Sequence, residues 1–173
     1  MPASTPRGFP YPLPTEPVAE GAQAIRNLAE ALDSYFAAEV AYVEKTTTVG
    51  VSAGSEGASD LILSDVARTY AAVPHVIDFY SPLVATADAA NAWLTLCLFD
   101  GGTALGFLGR LKNTNVASST QAPVFARRRL TPSAGSHTYL IRAFVLGGPG
   151  SVGAGLGGSG TFLPMSLRIA KAR

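Results

Sequence analysis

The chain has 173 residues, of which 47% are hydrophobic and 14% are charged, and its net charge is +1. This length predicts one domain with an extension. The near-neutral charge argues against a general nucleic-acid binder, because a basic field supplies most of the affinity in that class. The low share of charged residues predicts that some apolar surface faces another subunit.

Two further absences in the sequence narrow the class of protein. No signal-peptide pattern opens the chain, and no apolar run approaches the roughly 20 residues that cross a bilayer. We therefore expect a soluble product, made in a cytoplasm and not inserted into a membrane. Cys97 is the single cysteine, so an internal disulfide is excluded. It lies in an apolar run, where a small buried side chain is the expected role.

Residues 1–17 are predicted to form an extended, proline-rich arm. Proline fixes φ near the polyproline II value and removes backbone donors, so the arm cannot build a core. Its bulky side chains alternate with prolines in the run Phe9, Pro10, Tyr11, Pro12 and Leu13. A solvated tail gains nothing from such groups, whereas a strap buries them in a partner's groove. These five residues are the candidate docking site.

The next segment, 18–43, is predicted to be one amphipathic helix. Apolar residues recur at the three- and four-residue intervals of a coiled-coil seam, with a second line beside it. The candidate oligomerisation residues are Ile25, Leu28, Leu32, Tyr35 and Phe36. Packing of the helix on its own β-domain is the alternative. We favour self-association, because the helix follows a strap and does not sit between core strands.

Residues 44–173 are predicted to form an antiparallel, jelly-roll-like β-sandwich. The chain is mainly β after the helix, with seven or eight strands separated by turn signals. Asp100-Gly101-Gly102 is typical of a hairpin turn. The predicted strands are 45–52, 61–63, 73–84, 91–99, 103–111, 124–130, 136–146 (the longest) and 161–170.

The strands differ in how their apolar residues are placed. Strands 91–99 and 136–146 are apolar on both faces, which predicts that a neighbouring subunit covers the second face. The last strand alternates, and its inward side is predicted to carry Leu163, Met165, Leu167 and Ile169. Burial of these side chains would give the sandwich its core.

No pattern in the sequence indicates catalysis, a cofactor or a metal. His75 and His137 lie at no metal-ligand spacing, so a structural role is expected for both. The glycine-rich run 147–160 is followed by a strand and not by a helix, which favours a flexible loop over a dinucleotide site. We expect a protein that is not an enzyme and that has no cofactor.

Two other features are weaker pointers to binding. Arg127, Arg128 and Arg129 form the one dense basic cluster, and a solvated or ion-paired strand end is favoured there over a phosphate clamp. Tyr70 and Tyr80 are candidates for a ligand-binding face.

The segment from Tyr11 to Asp33, YPxPxxxVAxGAxAIxxLAxALD, resembles the N-terminal segment of small virion proteins of tailed bacteriophages, of the minor tail, head-fibre or spike type. The run PSAGSHTY at 132–139, together with Leu167-Arg168-Ile169, resembles the last strands of trimeric jelly-roll fibre tips.

This resemblance implies a homotrimeric virion appendage, assembled in the host cytoplasm. The arm would dock on another virion protein, and the sandwich would project and bind a host-surface glycan or protein. Two alternatives stay open. One is a glycan-binding attachment module, and the other is a capsid-decorating head protein that binds no receptor. Nucleic acid is not an expected partner.

Overall fold

The computed structural model describes residues 3–4, 10–11, 23–29, 39–114 and 118–172. Internal contacts divide the chain into two units, and the second begins at Glu39. In the first unit, β1 (Ala3–Ser4) pairs antiparallel with β2 (Pro10–Tyr11), and residues 23–29 form helix α1. Several predicted site residues lie outside the described residues: Phe9, Pro12, Leu13, Leu32, Tyr35 and Phe36.

The prediction that the helix runs to residue 43 is wrong. Glu39–Lys45 is strand β3, so the β-unit begins five residues before the predicted boundary at residue 44. The apolar residues of 39–45 fit a helical stripe, but residues 40–43 are also a short continuous apolar run, which a strand can equally bury. Pairing with the C-terminal strand decides between the two, because it gives the backbone groups of β3 their hydrogen-bond partners.

The described part of the second unit is mainly β, and its strands are short and antiparallel. They are β3 (Glu39–Lys45), β4 (Val49–Val51), β5 (Asp60–Ser64), β6 (Arg68–Tyr70), β7 (His75–Ala85), β8 (Trp93–Asp100), β9 (Thr103–Lys112), β10 (Gln121–Leu130), β11 (Gly135–His137), β12 (Tyr139–Leu146), β13 (Gly150–Gly153) and β14 (Met165–Lys171). A single 3-10 turn, Glu56–Ala58, lies between β4 and β5 in this part of the chain.

Two sheets form an antiparallel β-sandwich, as the sequence predicts. Sheet I is centred on β7, which pairs with β10 along one edge and with β14 and then β13 along the other; β3 extends β14, and β4 extends β13. Sheet II has the order β5-β12-β8-β9, and the predicted hairpin turn at 100–102 joins β8 to β9. A small ribbon of β6 and β11 stands apart from both sheets.

The main core lies between the two sheets. Inward side chains alternate along each strand, as the period of two requires. Ile77 and Phe79 of sheet I and Leu94, Leu96 and Leu98 of sheet II are buried there. The prediction for the last strand is confirmed at Met165, Leu167 and Ile169, which are fully buried, but Leu163 precedes the strand and is exposed.

The second face of sheet II is also apolar, and this same chain covers it. Cys97, Phe99 and Phe144 form a separate buried cluster with Ala53 packed against it. The Val145 amide donates a hydrogen bond to the Ala53 carbonyl at 2.8 Å, which fixes the β4–β5 loop over the sheet. Burial of these three side chains therefore does not require the neighbouring subunit that the sequence predicts.

The glycine-rich run also differs from prediction, since part of it is a strand. Gly150–Gly153 is β13 and pairs with both β4 and β7. A Cβ at Gly150 would lie 2.7 Å from the Ala85 carbonyl oxygen and 2.9 Å from a Leu94 methyl carbon. Close packing, and not loop flexibility, explains this glycine. The longest strand is β7 rather than 136–146, which divides into β11 and β12.

Candidate functional site

The face of sheet I that points away from the core carries an organised set of aromatic and charged side chains. Cα partners in antiparallel strands project to the same side, so the register sorts them into two rows. The first row is Arg127, Asp78, Arg168 and Tyr42. The second row is Phe125, Tyr80, Ser166 and Glu44. We call these eight residues the outer face.

An ion pair fixes the first row at its centre. Asp78 and Arg127 are register partners, and the guanidinium donates twice to the carboxylate, from Nε to Oδ1 at 2.6 Å and from Nη2 to Oδ2 at 3.0 Å. The Asp78 side chain is only 11% exposed, whereas that of Arg127 is 61% exposed. The hydrogen bond and charge of Asp78 raise the pKa of Arg127, so the guanidinium stays charged.

The far end of the outer face is held by two further contacts. The Tyr42 hydroxyl donates to Glu44 Oε1 at 2.5 Å. That hydrogen bond, then burial and the Glu44 charge, raises the pKa of Tyr42, so the phenol keeps its proton. Arg168 Nε donates to Glu39 Oε2 at 2.8 Å. Negatively and positively charged side chains are thus held in position near the Tyr42 ring.

The aromatic rings of the outer face are left open to solvent. Phe125 is 64% exposed, Tyr42 is 48% exposed and Tyr80 is half-buried. The Arg127 guanidinium carbon lies 5.7 Å from the centroid of the Phe125 ring, at one side of the exposed surface. Neighbouring strands are about 4.8 Å apart, so Tyr42, two strands from Tyr80, stands roughly 10 Å from it across the sheet. The rings therefore border a broad surface and not a deep pocket.

A serine, a histidine and an aspartate also come together, at the end of the sandwich. Asp100 Oδ2 lies 2.5 Å from His137 Nδ1, and His137 Nε2 lies 3.3 Å from Ser133 Oγ. However, Nε2 is closer to the Ser133 carbonyl oxygen, at 3.0 Å, and only a donor suits that oxygen. A ring nitrogen that donates to a carbonyl cannot take the serine proton, so this geometry does not activate a nucleophile.

These neighbours raise the pKa of His137 above its ordinary value. The hydrogen bond to Asp100 raises its pKa most, burial opposes that effect, and the Ser133 carbonyl adds to it. His75 is buried, with Nδ1 2.7 Å from the Val73 carbonyl oxygen, as a structural role predicts. In the described part of the chain, no group of three or more His, Cys, Asp or Glu side chains could hold a metal ion.

Burial alone explains the state of Cys97. Desolvation, the largest cause, raises the pKa of the thiol to about 12, so it stays protonated, and it packs as a small apolar group. The arginine cluster divides by strand alternation, since Arg127 pairs on the outer face and Arg128 projects to the opposite side of β10.

Four of the predicted docking and oligomerisation residues lie in the described part of the first unit. Pro10 and Tyr11 lie in β2. On α1, Ile25 is 62% exposed and Leu28 is half-buried. No described helix is long and apolar enough to span a membrane.

Sequence reasoning missed most of the outer face. It named Tyr80 as a candidate for a ligand-binding face, but it also named Tyr70, which is buried. Tyr42 falls within the segment predicted to be a helix, and no sequence pattern pointed to Phe125. The alternation of β10 places Phe125 and Arg127 on one side, but it does not show which strands lie beside β10.

Comparison with known proteins assigns no family. No family model matches the chain, and no curated protein matches it significantly. A carbohydrate-binding module of Cellvibrio mixtus lichenase 5A, solved with cellotriose, is 18% identical, with a TM-score of 0.31, over 78% of this chain and 90% of that one.

Two further solved structures are similar. The C-terminal domain of EclA, a sugar-binding protein, is 12% identical, with a TM-score of 0.32, over 75% of this chain and 78% of that one. The VP2 subviral particle protein of infectious bursal disease virus is 9% identical, with a TM-score of 0.24, over 76% of this chain and 36% of that one. At such low identities and TM-scores, these likenesses carry no argument about what this chain binds.

Proposed function

We propose that the β-sandwich is a non-catalytic glycan-binding module whose binding surface is the outer face. One observation carries the proposal: exposed aromatic rings stand beside planar charged groups that are already fixed by their neighbours. Phe125 and Tyr42 supply the open rings, and the Asp78–Arg127 pair lies in the row next to Phe125.

A glycan suits this surface for two physical reasons. Sugar rings present apolar C–H faces, which pack against aromatic rings, and hydroxyl edges, which pair with carboxylates and guanidinium groups. Arg127 and Asp78 constrain each other, so little side-chain entropy remains to be lost on binding. The face carries both signs of charge, which does not favour a polyanion such as nucleic acid.

The test is binding of the full chain to a panel of soluble polysaccharides, measured by affinity electrophoresis and then by calorimetry on any ligand found. We expect Phe125→Ala to weaken binding about tenfold, since one aromatic contact contributes of the order of 1 kcal/mol. Phe162→Ala removes another exposed ring, from the loop between β13 and β14 outside the outer face, and is the matched control. Equal affinity of the two variants, or no binding by the wild-type chain, contradicts the proposal.

The biological role of this module is a second, more specific proposal. We propose that it serves attachment in a homotrimeric virion appendage, with the arm docked on another virion protein. The resemblance of segment 11–33 supports this, and so does Ile25, a large apolar side chain that the single chain leaves exposed on α1. Sedimentation equilibrium tests the trimer. A trimer that Ile25→Asp converts to monomers supports it, whereas a monomeric wild type refutes it and leaves glycan binding intact.

A further inference from the structure

A second candidate binding site lies at the end of the sandwich, on the opposite side of β10 from the outer face. A cavity of about 290 Å³ opens between the end of β10, the turn that follows it and the β8–β9 hairpin. Leu105 and Leu130 give it an apolar wall. Its polar lining includes Arg128, Ser133 and His137. We call it the Arg128 pocket.

The charges of the Arg128 pocket do not cancel when His137 is protonated. Asp100 is the lining carboxylate, and its two oxygens face His137 Nδ1 at 2.5 Å and the Thr138 amide at 3.2 Å. Arg128 lies in the pocket, and within the described part of the chain it makes no ion pair. One positive charge therefore remains without a counter-charge.

The donors of the pocket suit a compact oxyanion. The Arg128 guanidinium presents a planar fork that matches a carboxylate or phosphate. The hydroxyl groups of Thr131 and Ser133 lie on the same lining and can donate hydrogen bonds to its remaining oxygens. The apolar wall excludes water from one side, which strengthens such contacts.

We propose that the Arg128 pocket binds a small ligand through its carboxylate or phosphate group. The inference stands apart from the glycan-binding proposal, because Arg128 and the outer face lie on opposite sides of β10. The site and the class of ligand both follow from an exposed arginine, without an ion pair among the described residues, at the lining of a cavity of about 290 Å³.

The protonation of His137 makes the binding depend on pH. Its ring is stacked on Tyr139 at 6.0 Å and meets the edge of Tyr70 at 5.9 Å, and both phenols stay neutral because burial raises their pKa. Arg68, the register partner of His137, is paired with Asp65. Asp100 and Arg128 are the other charged groups around the ring. Loss of the His137 proton removes positive charge from the pocket, so oxyanion affinity falls as pH rises.

The experiment titrates the full chain with D-glucuronate, inorganic phosphate and D-glucose, followed by backbone amide NMR at about pH 6 and about pH 8. We expect saturable shifts around 128–139 with glucuronate or phosphate and none with glucose. Binding of glucuronate, whose own charge is the same at both pH values, should be weaker at the higher pH. Binding of glucuronate alone or phosphate alone supports the site and identifies the anion it prefers. Equal binding of glucose, or no saturable shift with either anion, overturns the proposal.

Variants of two neighbouring arginines on β10 distinguish binding in the Arg128 pocket from a general effect of positive charge. Arg128→Gln should weaken oxyanion binding about tenfold or more, whereas Arg129→Gln, which removes the same charge on the other side of β10, should leave it unchanged. Arg128→Lys keeps the positive charge but lacks the planar guanidinium, and it should give an intermediate affinity. Equal losses in the Arg128→Gln and Arg129→Gln variants overturn the proposal. Thermal unfolding of each variant confirms that it is folded.

Discussion

The carboxylate of Asp78 and the guanidinium of Arg127 lie opposite each other on neighbouring strands and share two hydrogen bonds, at 2.6 and 3.0 Å. The pair is asymmetric, because the acid is nearly buried and the base is largely exposed. Removal of Arg127 should therefore cost more stability than removal of Asp78, because it leaves a buried carboxylate without a counter-charge.

We predict that Arg127→Leu lowers the free energy of unfolding more than Arg129→Leu, because only the first substitution leaves the nearly buried carboxylate of Asp78 without its partner. Urea denaturation measures both. In an Asp78→Asn background the Arg127→Leu substitution should cost much less, since no buried charge is then left unpaired. Additive losses in this double-mutant cycle would show that the two side chains do not interact in solution.

A second prediction concerns the apolar cluster on the outer side of sheet II. Phe144 is buried there, with its ring centroid 5.9 Å from that of the exposed Phe107. Phe144→Ala should lower the free energy of unfolding by about 3 kcal/mol, because a large cavity forms. Phe107→Ala, the control, should cost clearly less, since half of that ring already faces water.

The thiol of Cys97, in the same cluster, tests whether one chain is enough to cover this face of sheet II. Because Ala53 and the β4–β5 loop cover this face within one chain, we expect its burial not to require a second copy. Alkylation of Cys97 in the native protein should be slow at every protein concentration, because its thiol is buried and protonated. Faster alkylation on dilution would show that association, and not the loop, protects the thiol.

The sequence patterns predicted the sandwich well where a local signal and the final pairing agree. The turn at 100–102 joins the two strands that its Asp-Gly-Gly residues predict, and β14 buries Met165 and Leu167 as its alternation requires. The predictions failed where tertiary pairing decides. The short apolar run 40–43 is compatible with a helix or a strand, and pairing with β14 selects the strand.

The candidate binding face could not be predicted from the sequence, because its parts meet only through sheet register. Tyr42, Tyr80 and Phe125 are far apart in sequence and lie on three different strands. The Arg128 pocket presents the same difficulty. The three consecutive arginines gave a local signal for charge, but the direction of each side chain depends on where β10 begins its alternation.

A third prediction follows from the raised pKa of His137. Because its pKa in the folded state lies above the unfolded value of about 6.5, protonation favours the folded state. This contribution is complete below the unfolded pKa and is lost as pH rises through the folded pKa. The wild type should therefore lose its advantage in melting temperature over His137→Gln as pH rises above about 6.5.

The control for that experiment is the pH dependence of the variant itself. His137→Gln retains a side chain that can donate to one neighbour but cannot gain a proton in this range. If the melting curves of wild type and variant shift in parallel with pH, the Asp100 contact seen at 2.5 Å does not couple protonation to folding.

The fourth prediction compares two glycines on paired strands. Gly150 of β13 would place an added Cβ 2.7 Å from the Ala85 carbonyl oxygen, whereas Gly50 of β4 has no atom within 4 Å of that position. Gly150→Ala should therefore lower the free energy of unfolding by about 1–3 kcal/mol through overpacking, measured by urea denaturation. Gly50→Ala should leave stability unchanged or raise it slightly, because alanine restricts the unfolded chain. Both glycines share a strand environment and differ in the contact, so equal effects would mean that backbone conformation, and not close packing, requires glycine at Gly150.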